Sequence, residues 1–523
     1  MMQITQIDNR MNKTLNKLFK NRKFLVVGLA RSGTGAANLL ALCGAEVLAT
    51  DIRPRDQLED SISGLSPSVR VLAGGHPEEI FYGVDEIVVS PGVPMSIQPL
   101  VNARQRGIPA IGELELAFRV ISSSEVFAGL ASRFIGVTGT NGKSTTTNLI
   151  NRMLRETGFS TLLGGNIGNA LTEEIYKLLK ENNNRRNGYT EQTSPSPPMS
   201  VSPIKDYIVA EISSFQLESI QDFRPHIAVI LNITPDHLDR YGSMQEYINA
   251  KKEIFKNQLP SDHLILNADD PVIMKLYNAG LKNVRVWFFS LKKEVDGIYY
   301  KDQSFHCSIL STPRTVPPSF LRKRERGTVS SLSQKLIPVS EMKIRGLHNY
   351  ENAMAASLSA IIAGCPAESV RSALKEFPGL EHRLEPVCEI NGVNFINDSK
   401  GTNTGAVARS LESFSNVVLI MGGREKGSDF PVLKDLIKKR VKVLVLFGEA
   451  KEKIARAVGD AAETIIAADL EEAVEISMSK ASAGDTVLLS PGCTSFDMFA
   501  DFEERGRKFK TAVMEIKNAG TGD

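Results

Sequence analysis

Along its length the chain repeats one pattern: a short aliphatic run, a polar or glycine-rich turn, then a stretch with helical spacing. The first instance is Phe24-Leu-Val-Val27, the turn Gly28-Leu-Ala-Arg31-Ser32-Gly33-Thr-Gly35, an apolar helix over 36–42, and a strand over 46–51 that ends in Asp51. Strands over 86–90 and 108–112, the second leading into a helix over 113–120, extend this Rossmann-like unit. The pattern returns where an apolar run ending in Ile135 and Val137 enters a glycine-rich turn and a helix over 145–154. Runs at 207–211, 227–231 and 264–267 are near-continuously apolar, as strands buried on both faces are, and each ends in a polar cluster. An alanine-rich helix from Asn349 to Ala363 opens the last part, and four strands follow, over 393–396, 417–421, 441–447 and 486–489. At 523 residues the chain is too long for a single core. The pattern predicts an α/β protein of three domains. A basic extension (1–22) precedes a Rossmann-like domain (23–128), a central domain with a phosphate-loop parallel sheet (129–344) and a C-terminal Rossmann-like domain (345–523).

Composition narrows the partners. Lys plus Arg total 62 against 60 for Asp plus Glu, a net charge of +2, so no global field draws the protein to nucleic acid or a membrane. No apolar stretch reaches the roughly 18 residues that would span a bilayer, and residues 1–23 are basic without the apolar centre of a signal peptide. Five scattered cysteines (43, 307, 365, 388 and 493), with no C-x-x-C pair, suit a reducing compartment. A cytoplasmic monomer acting on small molecules is the expectation. Two stretches, 182–202 and 311–336, are polar and proline-bearing and read as surface insertions.

The densest chemistry is Gly136-Val-Thr-Gly139-Thr140-Asn141-Gly142-Lys143-Ser144-Thr145-Thr146. Glycines let backbone N–H groups converge on phosphate oxygens, the following helix adds positive potential, Lys143 neutralises charge, and the Ser144 or Thr145 hydroxyl suits Mg²⁺. Glu211, at the carboxyl end of an apolar strand, stands where ligands bind in open α/β sheets and is a candidate Mg²⁺ ligand. On its residues alone His237 reads more readily as a satisfied polar side chain than as a ligand, and Lys251 as a solvated helix residue. Asp269 and Asp270 read as a helix cap. In the first turn Ala30 stands where a dinucleotide fingerprint has its middle glycine, so the half-match alone is weak evidence for a dinucleotide, while a diphosphate on Gly28–Gly33 with Asp51 at a ribose or base remains a reasonable reading.

These blocks, with Gly164-Gly-Asn166-Ile-Gly168, Glu211–Gln216, Asn232–Tyr241, Lys251 and Gly346–Asn352, resemble the Mur ligases, ATP-dependent amide-forming enzymes of bacterial peptidoglycan synthesis. The loops Asp398-Ser-Lys-Gly-Thr-Asn403, Gly422-Gly-Arg-Glu-Lys426-Gly and Ser490-Pro-Gly-Cys-Thr-Ser-Phe-Asp497 look like the branch that adds D-glutamate. The resemblance implies that Gly139, Thr140, Asn141, Gly142 and Lys143 hold ATP phosphates, with Arg383 and Lys400 near the γ-phosphate, His348, Asn349 and Asn352 at the adenine, and Asp398 at the ribose. It implies two Mg²⁺ ions, with Ser144, Thr145, Glu211 and His237 as ligands and Lys251 carbamylated beside them. Asn166 would meet the muramoyl substrate at its reacting carboxylate. Gly28, Arg31, Ser32, Gly33, Asp51 and Arg53 would bind the UDP part, and Thr402, Lys426, Ser495 and Phe502 D-glutamate. Three substrates on three domains imply closure about a hinge near Arg345–Leu347. A relative adding a different amino acid, a folylpolyglutamate-type ligase, and a phosphate-loop switch or motor are the alternatives, and a catalytically silent UDP-sugar-binding protein is disfavoured by the presence of Lys143, Glu211, His237 and Lys251.

Overall fold

The computed structural model describes residues 13–127, 129–188, 205–280, 284–309, 333–425 and 428–519. Lys426, most of both insertions and the first twelve residues lie outside them. After a helix Lys13–Phe19, the first domain contains β1 (Lys23–Val27), β2 (Glu46–Asp51), β3 (Arg70–Ala73), β4 (Glu86–Val89) and β5 (Ala110–Gly112), all parallel in the order β3-β2-β1-β4-β5. Because side chains alternate across a strand, Phe24 and Val26 of β1 enter one core while Leu25 and Val27 enter another under helix Gln98–Gln105. The short edge strand β3 is half-exposed, which is why its apolar pattern does not stand out in the sequence.

The central domain is a nine-stranded sheet of β6 (Phe134–Thr138), β7 (Thr161–Gly165), β8 (Tyr207–Glu211), β9 (Ile227–Ile230), β10 (His263–Asn267), β11 (Arg285–Ser290), β12 (Gly297–Lys301), β13 (Ser304–Cys307) and β14 (Gln334–Pro338). Its order is β14-β13-β12-β11-β10-β9-β6-β8-β7, parallel from β7 to β12, with β13 and β14 added antiparallel. The phosphate-loop strand β6 thus lies between β8 and β9, and all three carboxyl ends open on one edge. That edge is the place where a parallel sheet binds ligands.

The third sheet orders β15 (Glu385–Ile390), β16 (Val393–Asn397), β17 (Val417–Gly422), β18 (Val441–Phe447), β19 (Glu463–Ile466) and β20 (Thr486–Leu489) as β15-β16-β20-β17-β18-β19, with only β15 antiparallel. The boundary drawn at 344/345 is corrected by the packing. Helices Leu347–Ile362 and Ala367–Glu376 bury Ala353, Met354, Leu358, Val370 and Leu374 in the same core as Leu149, Ile150 and Met153 of helix Lys143–Glu156, so the central domain runs through Phe377. The expected hinge at Arg345–Leu347 therefore lies inside one packed body. The chain crosses to the third domain through Gly379, His382 and Leu384, whose φ angles are 96°, 61° and 46°.

Candidate functional site

The phosphate loop links β6 to helix Lys143–Glu156, and its conformation is set by neighbours rather than by glycine alone. The Thr140 N–H donates to the Asn232 carbonyl (2.9 Å), the Asn141 N–H to Asn232 Oδ1 (2.8 Å), and Asn232 Nδ2 to the Asn141 carbonyl (3.0 Å). Asn232 follows β9, so a strand end acts as a template for the loop. Gly142 has φ of 86°, and a Cβ there would sit 2.1 Å from Asn352 Oδ1, so any other residue is strained and displaces Asn352. Asn352, on helix Leu347–Ile362, therefore touches the loop.

Lys143 Nζ donates to the carbonyls of Gly139 (3.0 Å) and Thr140 (2.8 Å). Burial draws its pKa down, with Glu211 and Asp236 opposing. Ser144 Oγ donates to Glu211 Oε2 at 2.5 Å, Asn166 Nδ2 to Glu211 Oε1 at 2.9 Å, and Arg383 Nη2 to Ser144 Oγ at 2.8 Å. Burial pushes Glu211 up, but Lys143, Lys400 and Arg383 together hold it below the usual carboxylate range. A buried carboxylate and a hydroxyl that share an edge of one cleft form an all-oxygen donor set of the kind Mg²⁺ takes.

The cleft encloses about 1010 Å³, part of it open to solvent, between the central and third domains. Thr140, Asn141, Gly142, Lys143, Thr145, Asn166, Glu211, His237, His348, Asn349 and Asn352 line it from the central domain, and Arg383, Asp398, Lys400, Thr402 and Phe502 from the third. Burial pushes Asp398 up to about 6 even though Ser410 Oγ (2.7 Å) and Ser490 Oγ (2.8 Å) donate to it. Burial brings Lys400 down to about 8, aided by Arg383, and its Nζ sits 4.4 Å from the Phe502 ring centroid. Burial also brings His348 down to about 4, so its imidazole is neutral at pH 7. His237 takes a left-handed backbone (φ 55°), packs its ring 4.8 Å from that of Phe215 and faces Asp236.

Among the described residues assigned to this site, Gly139, Ser144, Lys251 and Ser495 do not line the cleft. Lys251 is 1% exposed and lies beneath the phosphate loop, its Nζ donating to the Gly139 carbonyl at 2.8 Å and resting over the Tyr247 ring. Burial, then Lys143, draws its pKa well below the ordinary lysine value. Ser495 is buried outside the cleft lining, and Lys426 lies outside the described residues. Conversely Asn403, Arg409 and Ser410 line the cleft without having been singled out. Asn403 stood within a quoted loop, whereas nothing local separates Arg409 from any other helical arginine.

The first-domain residues gather at the carboxyl edge of their own sheet. Gly28 has φ of 90°, and a Cβ on Gly33 would lie 1.8 Å from the Gly28 carbonyl oxygen, so the helix Arg31–Leu42 approaches the turn only through glycine. Asp51 Oδ2 accepts from the Leu29 N–H (2.7 Å), and both its oxygens accept from Arg53. Burial opposes these contacts, yet they hold Asp51 down to about 2. Arg31 and Ser32 flank the turn at the helix start.

A central phosphate-loop sheet facing a separate α/β domain that contributes its own cations, with a Rossmann-like domain ahead of both, defines a three-domain ligase. The family models agree. The MurD-like N-terminal domain of Mur ligases matches residues 22–112, the Mur ligase middle domain 137–360, and the Mur ligase glutamate ligase domain 382–493. The chain is 41% identical to the UDP-N-acetylmuramoylalanine--D-glutamate ligase of Geotalea uraniireducens, over 95% of this chain and 98% of that protein. It is 40% identical to that of Pelotomaculum thermopropionicum, over 96% and 99%. Among solved structures, UDP-N-acetylmuramate-alanine ligase MurC from Thermotoga maritima superposes with TM-score 0.53 at 18% identity, covering 95% of this chain and 100% of that one. MurF ligase from the same organism in complex with ADP gives TM-score 0.54 at 15% identity, covering 96% and 97%. The chain belongs to the Mur ligase family, and within it to the UDP-N-acetylmuramoylalanine--D-glutamate ligases.

Proposed function

We propose that the protein uses ATP to join D-glutamate to UDP-N-acetylmuramoyl-L-alanine. The alanine carboxylate attacks the γ-phosphorus, ADP leaves, and the acyl phosphate that results is attacked by the amine of D-glutamate. Phosphate then departs from the acyl carbon as the amine loses a proton. The observation that carries the reading is the single cleft in which Lys143 and Glu211 of the central domain face Arg383, Lys400 and Phe502 of the third. Lys143 and Arg383 are suited to holding the transferring phosphoryl group, Asn166 to orienting the attacking carboxylate, and His348, Asn349 and Asn352 to bordering the base. Phe502 and Thr402 provide an aromatic wall and a hydroxyl for a dicarboxylate amino acid, and Lys400, expected near the γ-phosphate, lies over Phe502 and so offers its charge to that amino acid as well. No side-chain nucleophile is required.

Mg²⁺ fits the oxygens of Ser144 and Glu211, with Thr145 beside them, and when bound neutralises phosphate charge. A second ion near His237 would gain anionic oxygens from Lys251 only if that lysine were carbamylated. Its depressed pKa supplies the neutral amine that reaction needs. Lys251→Ala is expected to lose most activity and recover part of it with added short carboxylates; an unaffected variant removes the carbamate.

The main test mixes UDP-N-acetylmuramoyl-L-alanine, ATP and Mg²⁺ with D-glutamate, L-lysine or diaminopimelate in turn and measures phosphate. Release with D-glutamate alone is expected. Release without amino-acid preference, or with another amino acid only, overturns the proposal.

A further inference from the structure

The third-domain wall of the cleft rests on one turn of the helix Phe502–Ala519. Phe502, Arg505 and Gly506 fall on one face of it, since positions three and four apart stack on a helix. Phe502 reaches the cleft; Arg505 is fully buried. Its Nε donates to Ser399 Oγ (2.9 Å), Nη2 to the Ser399 carbonyl (2.7 Å) and Nη1 to the Cys493 carbonyl (3.2 Å). Ser399 Oγ in turn donates to the Phe502 carbonyl at 2.8 Å, closing a ring between the loop and the helix. A Cβ on Gly423, where φ is 125°, would approach Arg505 Nη1 to 3.1 Å, so a third loop closes over the same guanidinium. Gly506 admits His382, whose Nδ1 would lie 2.1 Å from an added Cβ, and His382 immediately precedes Arg383.

Among the described residues the hydrogen bonds of this guanidinium go to neutral oxygens, with the carboxylates of Asp497 and Asp398 acting on it from further off. Burying it is costly, so a hydrophobic residue of similar volume would serve the core about as well. What the guanidinium supplies instead is a fixed fork of donors that pins separate loops in one geometry. We propose that Arg505 is a positioning residue for the incoming amino acid: by clamping Ser399 against Cys493 and the helix start, it holds the next residue, Lys400, over Phe502 and so sets the seat of the dicarboxylate. The inference rests on the proposed D-glutamate site and extends it to a residue that does not touch the ligand.

The test compares wild type, Arg505→Lys and Ser399→Ala for phosphate release, with kcat and KM determined separately for D-glutamate and for ATP, alongside thermal unfolding. Wild-type release with D-glutamate comes first; its absence sinks the proposed function itself and leaves Arg505 with no seat to position. With wild type active, kcat/KM for D-glutamate is expected to fall on the order of tenfold to a hundredfold in both variants, chiefly through KM, while KM for ATP stays within about twofold. Unchanged D-glutamate parameters, or a common loss for both substrates that tracks the fraction folded, would overturn the positioning role.

Discussion

Two seams divide this chain, and they are built from opposite materials. Between the first and central domains a single apolar core runs through, with the rings of Phe118 and Phe134 packed edge-on to Phe223 at 5.5 and 5.1 Å. Fully buried Glu115, on helix Glu113–Ser123, accepts the backbone N–H groups of Gln221, Asp222 and Phe223, and Glu113 accepts that of Thr172. Between the central and third domains no apolar cluster of the described residues crosses. The contacts are polar and edge the cleft: Arg383 with Ser144, Asn403 Nδ2 with Asp236 Oδ2 at 3.1 Å, and Arg409 with Glu351 at 3.5 Å. An apolar seam buries surface that nothing in solution replaces, whereas a polar one exchanges readily with water, phosphate or a metal ion. The first seam therefore joins two domains into one body, and the second leaves the third domain to respond to ligand.

Breaking the first seam should cost most. Glu115→Ala removes the acceptor of three backbone N–H groups, that of Phe223 buried, and one partner of the Arg119 guanidinium, which keeps Glu86 and Gln221. The expected loss is about 2–3 kcal/mol by chemical denaturation. A loss below about 1 kcal/mol would show that the seam does not depend on it. Lys143→Ala, in the ligand-responsive cleft, should instead reduce kcat by about 10²–10³-fold with a much smaller change in unfolding temperature. A collapse of stability of the kind expected for Glu115 would erase the contrast between the seams.

Asp398 tests the charge buried on the third-domain side. Its folded pKa of about 6 exceeds the ordinary 3.8, so the native state binds this proton more tightly and loses stability as pH rises through that window. Relative to Asp398→Asn, wild type should lose about 2 kcal/mol between pH 4 and pH 7, measured as the difference between two denaturation series. A difference that is flat with pH would mean the carboxylate is no less comfortable there than in water. Smallest of all, Arg409→Ala removes a partly exposed pair and should raise KM for ATP only about two- to fivefold, leaving stability unchanged.

Much of this was legible in the chain itself. Glycine spacing, Lys143 and the hydroxyls after it specify a phosphate loop because that chemistry is local, and continuous apolar runs identify buried parallel strands. The edge strands β3, β14, β15 and β19, and β13 beside β14, were not legible. They are half-exposed, or paired antiparallel, and their sequences lack the uninterrupted runs of the central strands. Nor could periodicity show that helix Leu347–Ile362 packs beside the phosphate-loop helix and not with the sheet that follows it, since an apolar helix face carries no address.

The sequence by itself determined the buried parallel strands of its apolar runs and the loops after them, the phosphate-binding turn and, through its motifs, the family. Only the tertiary structure decided which residues meet: that Arg383, over two hundred residues away, reaches Ser144, that Lys251 lies beneath the loop instead of in the cleft wall, and that Arg505 binds two loops and lies close to a third. The physical reason is range. Backbone geometry and helix or strand periodicity act over a few residues, while burial, charge and hydrogen bonding act between whatever the fold brings within a few ångströms.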